Sequence, residues 1–237
     1  MARTSSELAK HLARRALNSG YPAFIVASMG RSGSTLVWNA IAKALAEKRY
    51  GRLSSSLGRI VKSHAWDLHK ARLARGVVYK THDMASSIAP ALPVRGIFLF
   101  SRASDAALSV YSCYERFGKG WVEMHLRHLH ANGNFVELLE RDVLRLEEQV
   151  NGWVNETRFP VLAVRYEYLW DNEDKLRAFC DLPISLPKKR ARVEKNIDQS
   201  YVMKANKLYS ELDARIDEMP AIFITSDRKR ANRERMV

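Results

Sequence analysis

Six consecutive residues near the start of the chain combine two glycines, three hydroxyl groups and one guanidinium. They are Gly30, Arg31, Ser32, Gly33, Ser34 and Thr35. The preceding stretch, residues 24–29, is apolar with β-branched residues, which favours a buried strand. Apolar residues at helical spacing follow. A strand, a glycine-rich turn and a helix N-terminus together present backbone N–H groups to an anion, most often a phosphate.

The position of the cation separates this loop from the loop of nucleotide triphosphatases. Those loops carry a lysine directly before the final Ser or Thr. Here Gly33 is followed by Ser34 and Thr35, and the cation comes earlier, as Arg31. The same six residues would also suit an ordinary strand-to-helix turn, so a ligand-binding role depends on what else the chain carries.

Two later apolar runs also end in side chains that could bind an anion or transfer a proton. One run ends in Lys80 and His82, and the next ends in Arg102. Strands that alternate with helices favour a parallel sheet covered on both faces, and ligands bind beyond the carboxyl ends of its strands. We therefore expect Arg31, His82 and Arg102 to gather at one edge of the sheet.

In chain order, these segments resemble the sulfotransferases that use 3′-phosphoadenosine 5′-phosphosulfate as donor. Residues 30–35 resemble their 5′-phosphosulfate loop, especially the Arg-Ser-Gly form of carbohydrate sulfotransferases. Residues 77–82 resemble the segment where cytosolic members place a catalytic histidine. Residues 97–109 resemble the 3′-phosphate strand and helix, and residues 161–169 the later strand that ends in Arg-Tyr-Glu-Asp-Leu. The matches span roughly residues 22–185.

The resemblance implies a metal-free transfer of a sulfuryl group. Arg31 and Lys80 would neutralise the charge that develops as the donor's bisphosphate leaves. His82 would take the proton of the acceptor hydroxyl, since an unperturbed imidazole titrates near neutral pH. His64, which follows a Lys-Ser pair, is an alternative base, and so is a carboxylate such as Asp83.

The resemblance also implies a set of residues that bind the donor and its product, adenosine 3′,5′-bisphosphate. This set comprises Gly30, Arg31, Ser32, Gly33, Ser34, Thr35, Arg102, Ser109, Tyr166 and Arg228. In it, Arg102 and Ser109 would hold the 3′-phosphate, and Arg228 stands where the family has a C-terminal Arg-Lys-Gly. The spacing from Arg102 to Ser109 is one residue shorter than usual, which leaves Ser112 as a substitute. Tyr166 would pack on the adenine, or it is simply an aromatic core residue.

Size and composition favour one α/β domain over residues 1–237. The resemblance implies the fold of P-loop sulfotransferases, a central parallel sheet flanked by helices. Residues 22–185 form the recognisable core, residues 1–20 a first helix, and residues 186–237 a basic helical region. The chain has two cysteines, no signal-peptide pattern and no apolar run long enough to span a membrane. This combination predicts a cytoplasmic protein.

Periodicity predicts the positions of the individual elements. Strands are expected at 23–28, 59–64, 77–81, 94–101 and 160–166, and a loop over 50–58. Helices are expected at about 5–18, 35–48, 103–117, 133–150, 172–180 and 188–218, with a further helical segment between 117 and 133 and a short apolar run at 221–225.

The formal net charge of +13 indicates an acidic partner. The phosphorylated donor accounts for part of this charge, and an anionic acceptor, such as an acidic glycan or a lipid head group, would use the rest. Nucleic acid or an anionic membrane surface would suit the charge equally well, although the chain carries no zinc spacing, RNA-recognition signature or clear helix-turn-helix. The acceptor, a carbohydrate, glycolipid or small molecule, is expected to contact residues 52–58, residues 114–132 and the C-terminal quarter.

Overall fold

A computed structural model describes residues 20–89, 91–189 and 197–226 of the chain. Their strands form one six-stranded sheet in the order β2-β3-β1-β4-β5-β6. The first five strands are parallel, and β6 pairs antiparallel with β5. The strands are β1 (Ala23–Ser28), β2 (Lys62–His64), β3 (Val78–Thr81), β4 (Val94–Phe100), β5 (Val161–Arg165) and β6 (Ile222–Ile224). The predicted α/β class with a mostly parallel central sheet is confirmed.

Helices cover both faces of this sheet. They are α1 (Ser34–Tyr50), α2 (Ser54–Leu57), α3 (Ala103–His128), α4 (Leu146–Val154), α5 (Glu173–Cys180), α6 (Gln199–Leu208) and α7 (Ser210–Asp217). None of the helices in the described residues is both long and apolar enough to cross a bilayer. The helix predicted at about 5–18 and the tail residue Arg228 lie outside the described residues.

The apolar run of β1 reflects burial on both sides of the sheet, as expected for a parallel strand. Phe24 and Val26 belong to the core that α1 and α5 cover. Ile25 and Ala27 belong to the opposite core, which α3 and α4 cover. Every residue of β1 is buried. The strand therefore does not alternate polar with apolar residues along its sequence.

Strand order places a crevice beside the carboxyl end of β1. The chain leaves β1 toward β2 and β3, whereas it leaves β4 toward β5, so the connections diverge between β1 and β4. Such a topological switch point is where ligands bind in open α/β sheets. The loop after β1 and the start of α3 face each other here, and the Ser32 and Ser101 hydroxyls lie 3.2 Å apart.

The helix predicted at 133–150 is wrong over most of its length. Residues 133–145 form a short 3₁₀ turn and loop, and α4 begins only at Leu146. Asn134 and Glu137 close the 3₁₀ turn with a capping box. The carboxylate of Asp142 then accepts hydrogen bonds from the Leu146 and Glu147 N–H groups and starts the new helix. These local side-chain contacts interrupt a stretch whose apolar spacing suits a continuous helix.

Other elements also differ from the predicted boundaries. The helical region predicted over 188–218 contains two helices, α6 and α7, within its described residues, and the strand predicted over 59–64 is shortened to β2. The expected helix 103–117 and the helical segment after it form one element, α3, with a kink at Gly118, whose φ is 76° and ψ is 176°. The expected loop 50–58 contains a 3₁₀ turn and α2. The apolar run 221–225 supplies β6, whose pairing with β5 adds an antiparallel edge to the sheet.

A buried carboxylate joins α7 to the N-terminus of α3. The side chain of Asp213 is 1% exposed. It accepts hydrogen bonds from the Ala103 N–H and the Ser104 hydroxyl, and its oxygen lies 3.5 Å from Nε of Arg102. Negative charge is stabilised at a helix N-terminus by unpaired N–H groups and the helix dipole. Asp213 therefore fixes the C-terminal helices on the sheet.

We expect Asp213→Asn to destabilise the protein by about 2 kcal/mol, since a neutral amide makes weaker hydrogen bonds and leaves Arg102 without its buried partner. Urea denaturation followed by circular dichroism measures this change. Glu211→Gln is the matched control, because that carboxylate is exposed on the same helix. Substitution of an exposed side chain usually changes stability by about 0.5 kcal/mol or less. Equal destabilisation by both substitutions would contradict the proposed role of Asp213.

Candidate active site

The loop after β1, residues 30–35, which we call the cradle, has a left-handed backbone conformation at three positions. Gly30, Arg31 and Gly33 have φ values of 86°, 56° and 76°. A positive φ at Arg31 is uncommon for a residue with a Cβ and marks a constrained loop. Gly33 is the N-cap of α1, and no side chain caps that helix within the described residues. The first N–H groups of α1 are thus left for an anion.

Four serine hydroxyls connect this loop to the strand ends. Ser32 donates to the Gly30 carbonyl at 3.0 Å and also meets Ser101. Ser28 donates to the Ser34 hydroxyl at 3.0 Å. Because Ser32 and Ser34 are both buried, their hydroxyls hold the loop in shape, and the backbone N–H groups remain the main anion donors.

Two cations lie on either side of the loop. Nε of Arg31 donates to the Ser109 hydroxyl at 3.1 Å, and the guanidinium lies 5.5 Å from the ring centroid of Trp121. Nζ of Lys80 donates to the Thr35 hydroxyl at 2.6 Å. Burial and the nearby Arg31 lower the pKa of Lys80. The structure therefore brings together Arg31, Ser109 and Thr35, which were predicted to contact the donor. It also places Lys80, which was predicted to act as a catalytic cation, beside them.

His82 is buried at the carboxyl end of β3 and is 6% exposed. Its Nδ1 lies 3.0 Å from the Ser28 carbonyl, which can only accept, so Nδ1 carries the proton of the neutral ring and Nε2 carries the lone pair. Burial lowers the pKa of His82 to about 4, against the opposing effect of the Ser28 hydrogen bond, and the Lys80 charge lowers it further. The ring is therefore neutral at pH 7 and able to accept a proton at Nε2.

Sequence patterns did not identify four aromatic and imidazole side chains that lie near His82. Trp66 stacks on His128 with centroids 4.1 Å apart and on His82 at 5.5 Å. His125 meets the edge of His82 at 5.5 Å and stacks on Trp121 at 4.9 Å. Three of them could have been identified from their spacing. Trp121, His125 and His128 are separated by four and three residues, which places them on one face of α3.

His125 lies directly against the loop. A Cβ built on Gly30 would be 3.1 Å from Nε2 of His125. That nitrogen is buried without a hydrogen-bond partner within the described residues. Burial first, then the neighbouring His82 and Arg31, lower the pKa of His125 to about 3. A second neutral imidazole thus lies against Gly30 of the loop.

Arg102 lies at the switch point, but carboxylates hold part of its guanidinium. Nε of Arg102 is 3.5 Å from Asp213 and 3.8 Å from Asp217. The side chain is 48% exposed. Arg102 is therefore oriented by α7, and only the outer edge of its guanidinium is left for a phosphate. No sequence pattern signalled this pairing.

The other predicted donor contacts occupy different positions. Ser109 is bonded to Arg31, while the alternative Ser112 donates to the Ser109 carbonyl and so supports the helix. Tyr166 packs on the loop, since a Cβ on Gly33 would lie 2.3 Å from its ring, and its ring meets the edge of Trp170 at 5.5 Å. Arg228 lies outside the described residues.

The two alternative bases differ in position. His64 is exposed on β2, opposite Lys80 in the strand register, and stacks between Trp38 at 4.5 Å and Trp66 at 5.0 Å. Asp83 follows His82, but its oxygens accept from the Leu68 and Met84 N–H groups. His64 is therefore accessible, whereas the carboxylate of Asp83 is occupied by hydrogen bonds from backbone N–H groups.

Among the described residues, the ionisable side chains that shift the pKa values of the site are basic. Burial is the largest cause that lowers the pKa of His64, His82, His125, His128 and Lys80. Every charged or ionisable side chain that adds to these shifts is basic. These side chains are Arg31, Lys62, Lys80, His82, Arg127, His128 and His130. This arrangement can bind anions and can stabilise a leaving group that gains negative charge.

Comparison with known proteins adds no assignment. The chain matches no protein-family model, and no curated protein matches it.

We expect Gly33→Ala to weaken binding of adenosine 3′,5′-bisphosphate at least about tenfold, because the new Cβ would collide with the Tyr166 ring at a φ of 76° and displace the cradle. Isothermal titration calorimetry measures the change. Gly152→Ala in α4 is the matched control, because a Cβ there meets nothing within 4 Å and alanine suits a helix. An unchanged dissociation constant for Gly33→Ala would show that the loop does not hold the nucleotide.

Proposed function

We propose that this chain is a sulfotransferase that moves a sulfuryl group from 3′-phosphoadenosine 5′-phosphosulfate to an acceptor hydroxyl of a carbohydrate, a glycolipid or a small molecule. The observation that carries the proposal is the uncapped N-terminus of α1 between the guanidinium of Arg31 and the ammonium of Lys80. Backbone N–H groups and two cations at one loop suit a doubly anionic ester.

The sheet supports the same assignment. Its strand order places the loop after β1, the end of β3 and the start of α3 at one edge, and these carry Arg31, His82 and Ser109. A P-loop sulfotransferase-like fold is therefore part of the proposal. The resemblance of residues 30–35 to a 5′-phosphosulfate loop agrees with this position.

Lys80 argues against a nucleotide kinase or triphosphatase with a similar loop. In those enzymes the last Ser or Thr hydroxyl of the loop holds Mg²⁺. Here the corresponding hydroxyl of Thr35 accepts a hydrogen bond from the Lys80 ammonium at 2.6 Å. A second cation at this oxygen would be repelled, so the site favours a donor that needs no divalent metal at Thr35.

When bound, the donor supplies an activated sulfuryl group whose bond to the bridging phosphate oxygen breaks as the acceptor oxygen attacks sulfur in line. The N–H groups of the loop and of the first turn of α1 hold the 5′-phosphate. Arg31 and Lys80 stabilise the charge on the bridging oxygen, which increases as the bisphosphate leaves. The outer edge of Arg102 binds the 3′-phosphate, and Tyr166 packs on the adenine.

His82 removes the proton of the attacking hydroxyl. The Ser28 carbonyl keeps the Nδ1 proton in place, so the acceptor proton goes to Nε2. The product imidazolium is unfavourable in the empty site because burial and cations oppose it. The negative charge of the bound donor offsets these cations, so donor binding raises the pKa of His82 toward the value that a base needs.

The two cysteines agree with a cytoplasmic location, which is also part of the proposal. Cys113 and Cys180 are both free and buried. Burial raises the pKa of the Cys180 thiol, which keeps it protonated and unreactive. A chain that uses its cysteines as core residues is suited to a reducing compartment.

Thermal unfolding with and without nucleotides tests the proposal. We expect adenosine 3′,5′-bisphosphate at about 100 times its dissociation constant to stabilise the protein by about 2.7 kcal/mol. ATP with magnesium should stabilise it less, since it lacks the 3′-phosphate and brings a cation to Thr35. Incubation with labelled donor and a panel of glycans, lipids and phenols then identifies the acceptor.

The controls separate the competing functions. A larger shift with ATP and magnesium would support a kinase or triphosphatase. A strong shift with duplex DNA and none with the bisphosphate would support a nucleic-acid-binding protein. Either result would overturn the sulfotransferase assignment.

A further inference from the structure

A groove lies outside the candidate active site, between the C-terminal half of α3 and residues 130–136, and we call it the α3 groove. Its volume is about 960 Å³. Small-molecule sites in proteins are concave, occupy about 300–1,000 Å³ and are lined mainly by apolar and aromatic side chains with a few polar groups. The α3 groove has the size of such a site, and the proposed chemistry does not use it.

The α3 groove and the candidate active site lie on opposite faces of α3. The face toward the site carries Trp121, His125 and His128. The residues of α3 beyond the kink that line the groove are Lys119, Val122, Glu123, Leu126 and Arg127. Each residue turns an α-helix by about 100°, so the mean directions of the two sets differ by roughly 160°. The helix therefore separates a molecule in the groove from His82.

The walls of the groove are apolar and partly exposed. Tyr114 stacks on Phe135 with ring centroids 4.4 Å apart, and this contact joins α3 to the wall opposite. Tyr114 is 40% exposed and Val136 is 82% exposed. The buried side chains of Val122 and Leu126 also line the groove. Exposed apolar groups around a concave surface are typical of a ligand-binding site.

Hydrogen bonds hold the wall opposite α3, so the groove is formed before a ligand binds. Nε2 of His130 donates to the Trp66 carbonyl at 2.8 Å, and Arg141 donates to the Asn132 carbonyl. The capping box of Asn134 fixes the 3₁₀ turn that follows. A pre-formed site loses little conformational entropy on binding, so most of the contact energy contributes to affinity.

One cation of the groove is left for a ligand. The carboxylate of Glu123 pairs with Lys119 at 3.6 Å, and it is the only carboxylate among the residues that line the groove. Arg127 is exposed, and its guanidinium makes no hydrogen bond or ion pair in the part of the chain that the structure describes. A guanidinium binds a carboxylate or sulfonate through two parallel N–H groups.

We propose that the α3 groove binds a small aryl acid, whose rings pack on Tyr114, Phe135 and Val136 and whose carboxylate or sulfonate pairs with Arg127. A molecule of a few rings suits the volume of the groove, whereas a stable protein partner needs about 800 Å² of surface on each side. The inference does not rest on the proposed sulfotransferase function, because the groove and the cradle share no residue.

Two probes that differ in one charged group test the inference. 2-Naphthoate and 2-naphthalenemethanol share the ring system, and only the naphthoate is an anion. NMR spectra of the nitrogen-15-labelled full chain, recorded during titration, measure both dissociation constants and locate the shifted resonances. We expect 2-naphthoate to bind with a Kd of about 1 mM or below, at least about threefold more tightly than the alcohol, with the largest shifts within residues 114–136.

Val136→Asp should weaken 2-naphthoate binding at least about fivefold, because it places a carboxylate on the apolar wall. Met203→Asp is the matched control, since Met203 is 65% exposed and lies on α6, outside the groove. Arg127→Gln should abolish the preference for the naphthoate over the alcohol. Lys175→Gln, which removes an exposed cation from α5, should leave that preference unchanged.

Several outcomes would overturn the inference. They are no measurable naphthoate binding up to about 10 mM, equal affinities for the two probes, and equal losses in Val136→Asp and Met203→Asp. Competition between 2-naphthoate and adenosine 3′,5′-bisphosphate would place the probe in the cradle and would refute it as well.

Sedimentation velocity tests the other occupant, a second copy of the chain. A wild-type dimer that Val136→Asp converts to a monomer would show that the groove is an interface between copies and would contradict the aryl-acid site. The naphthoate titration needs no bisphosphate. A missing thermal shift with the bisphosphate therefore refutes the sulfotransferase function alone, and failed naphthoate binding refutes the groove proposal alone.

Discussion

Arg31→Ala is expected to reduce kcat for sulfuryl transfer by about 10³-fold and to weaken donor binding. A preorganised positive group at the bridging oxygen is worth this much because the negative charge there is larger in the transition state than in the bound donor. Arg31 is held for this role by the hydrogen bond of its Nε to Ser109. Initial rates with labelled donor, together with calorimetry with the bisphosphate, measure the two effects.

Arg31→Lys should recover only part of the loss. An arginine can donate from Nε to Ser109 and from a second N–H group to the donor at the same time. A lysine supplies the charge, but it lacks the planar group that makes both contacts. Arg75→Ala is the matched control, because Arg75 is exposed and precedes β3, at the sheet edge opposite the loop. If kcat of Arg31→Ala stays within about threefold of the wild-type value, the guanidinium has no role in the transition state.

His82→Asn is expected to lower kcat by about 10²–10⁴-fold with a bisphosphate affinity close to that of the wild type. Removal of a general base costs this much. The asparagine amide can still donate to the Ser28 carbonyl, which the Nδ1 atom of His82 now contacts, so the fold of the site should persist. Steady-state kinetics and calorimetry on the same samples distinguish this outcome from simple unfolding.

The pH dependence provides a second measurement of the same role. A base acts in its neutral form, so activity falls as pH drops through its pKa. Burial and the Lys80 charge lower the pKa of His82 to about 4 in the empty site, so kcat/KM for the donor should lose activity only near that pH. The acid limb of kcat should lie at higher pH, because the bound anion favours the imidazolium.

His69→Asn should leave both profiles unchanged, since His69 is exposed and outside the site. Full activity in His82→Asn would remove His82 as the base. His64 would then be the next candidate, because it is accessible and one ring away across Trp66.

The positions of β1 and of the loop that follows it were predictable from the sequence for a local reason. A strand buried on both faces must be apolar throughout, and the left-handed turn after β1 needs glycine at positions such as Gly33. Both requirements leave a pattern within a few neighbouring residues, so residues 23–35 indicate a strand, a turn and a helix start. The same reasoning failed at residues 133–145, where side-chain capping by Asp142 and Asn134 overrides the helical spacing.

Contacts between distant segments were decided by tertiary packing alone. The pairing of Arg102 with Asp213, the antiparallel β6 edge, and the meeting of Trp66 with His128 each join elements from separate parts of the chain. Short-range patterns cannot encode such pairs, because each partner looks like an ordinary surface or core residue in its own segment. The sequence by itself determined where a strand, a glycine-rich turn and a helix follow one another and which residue types the turn carries. The packing of α3 and α7 on the sheet decided how Arg102 is oriented and which rings line the path to His82.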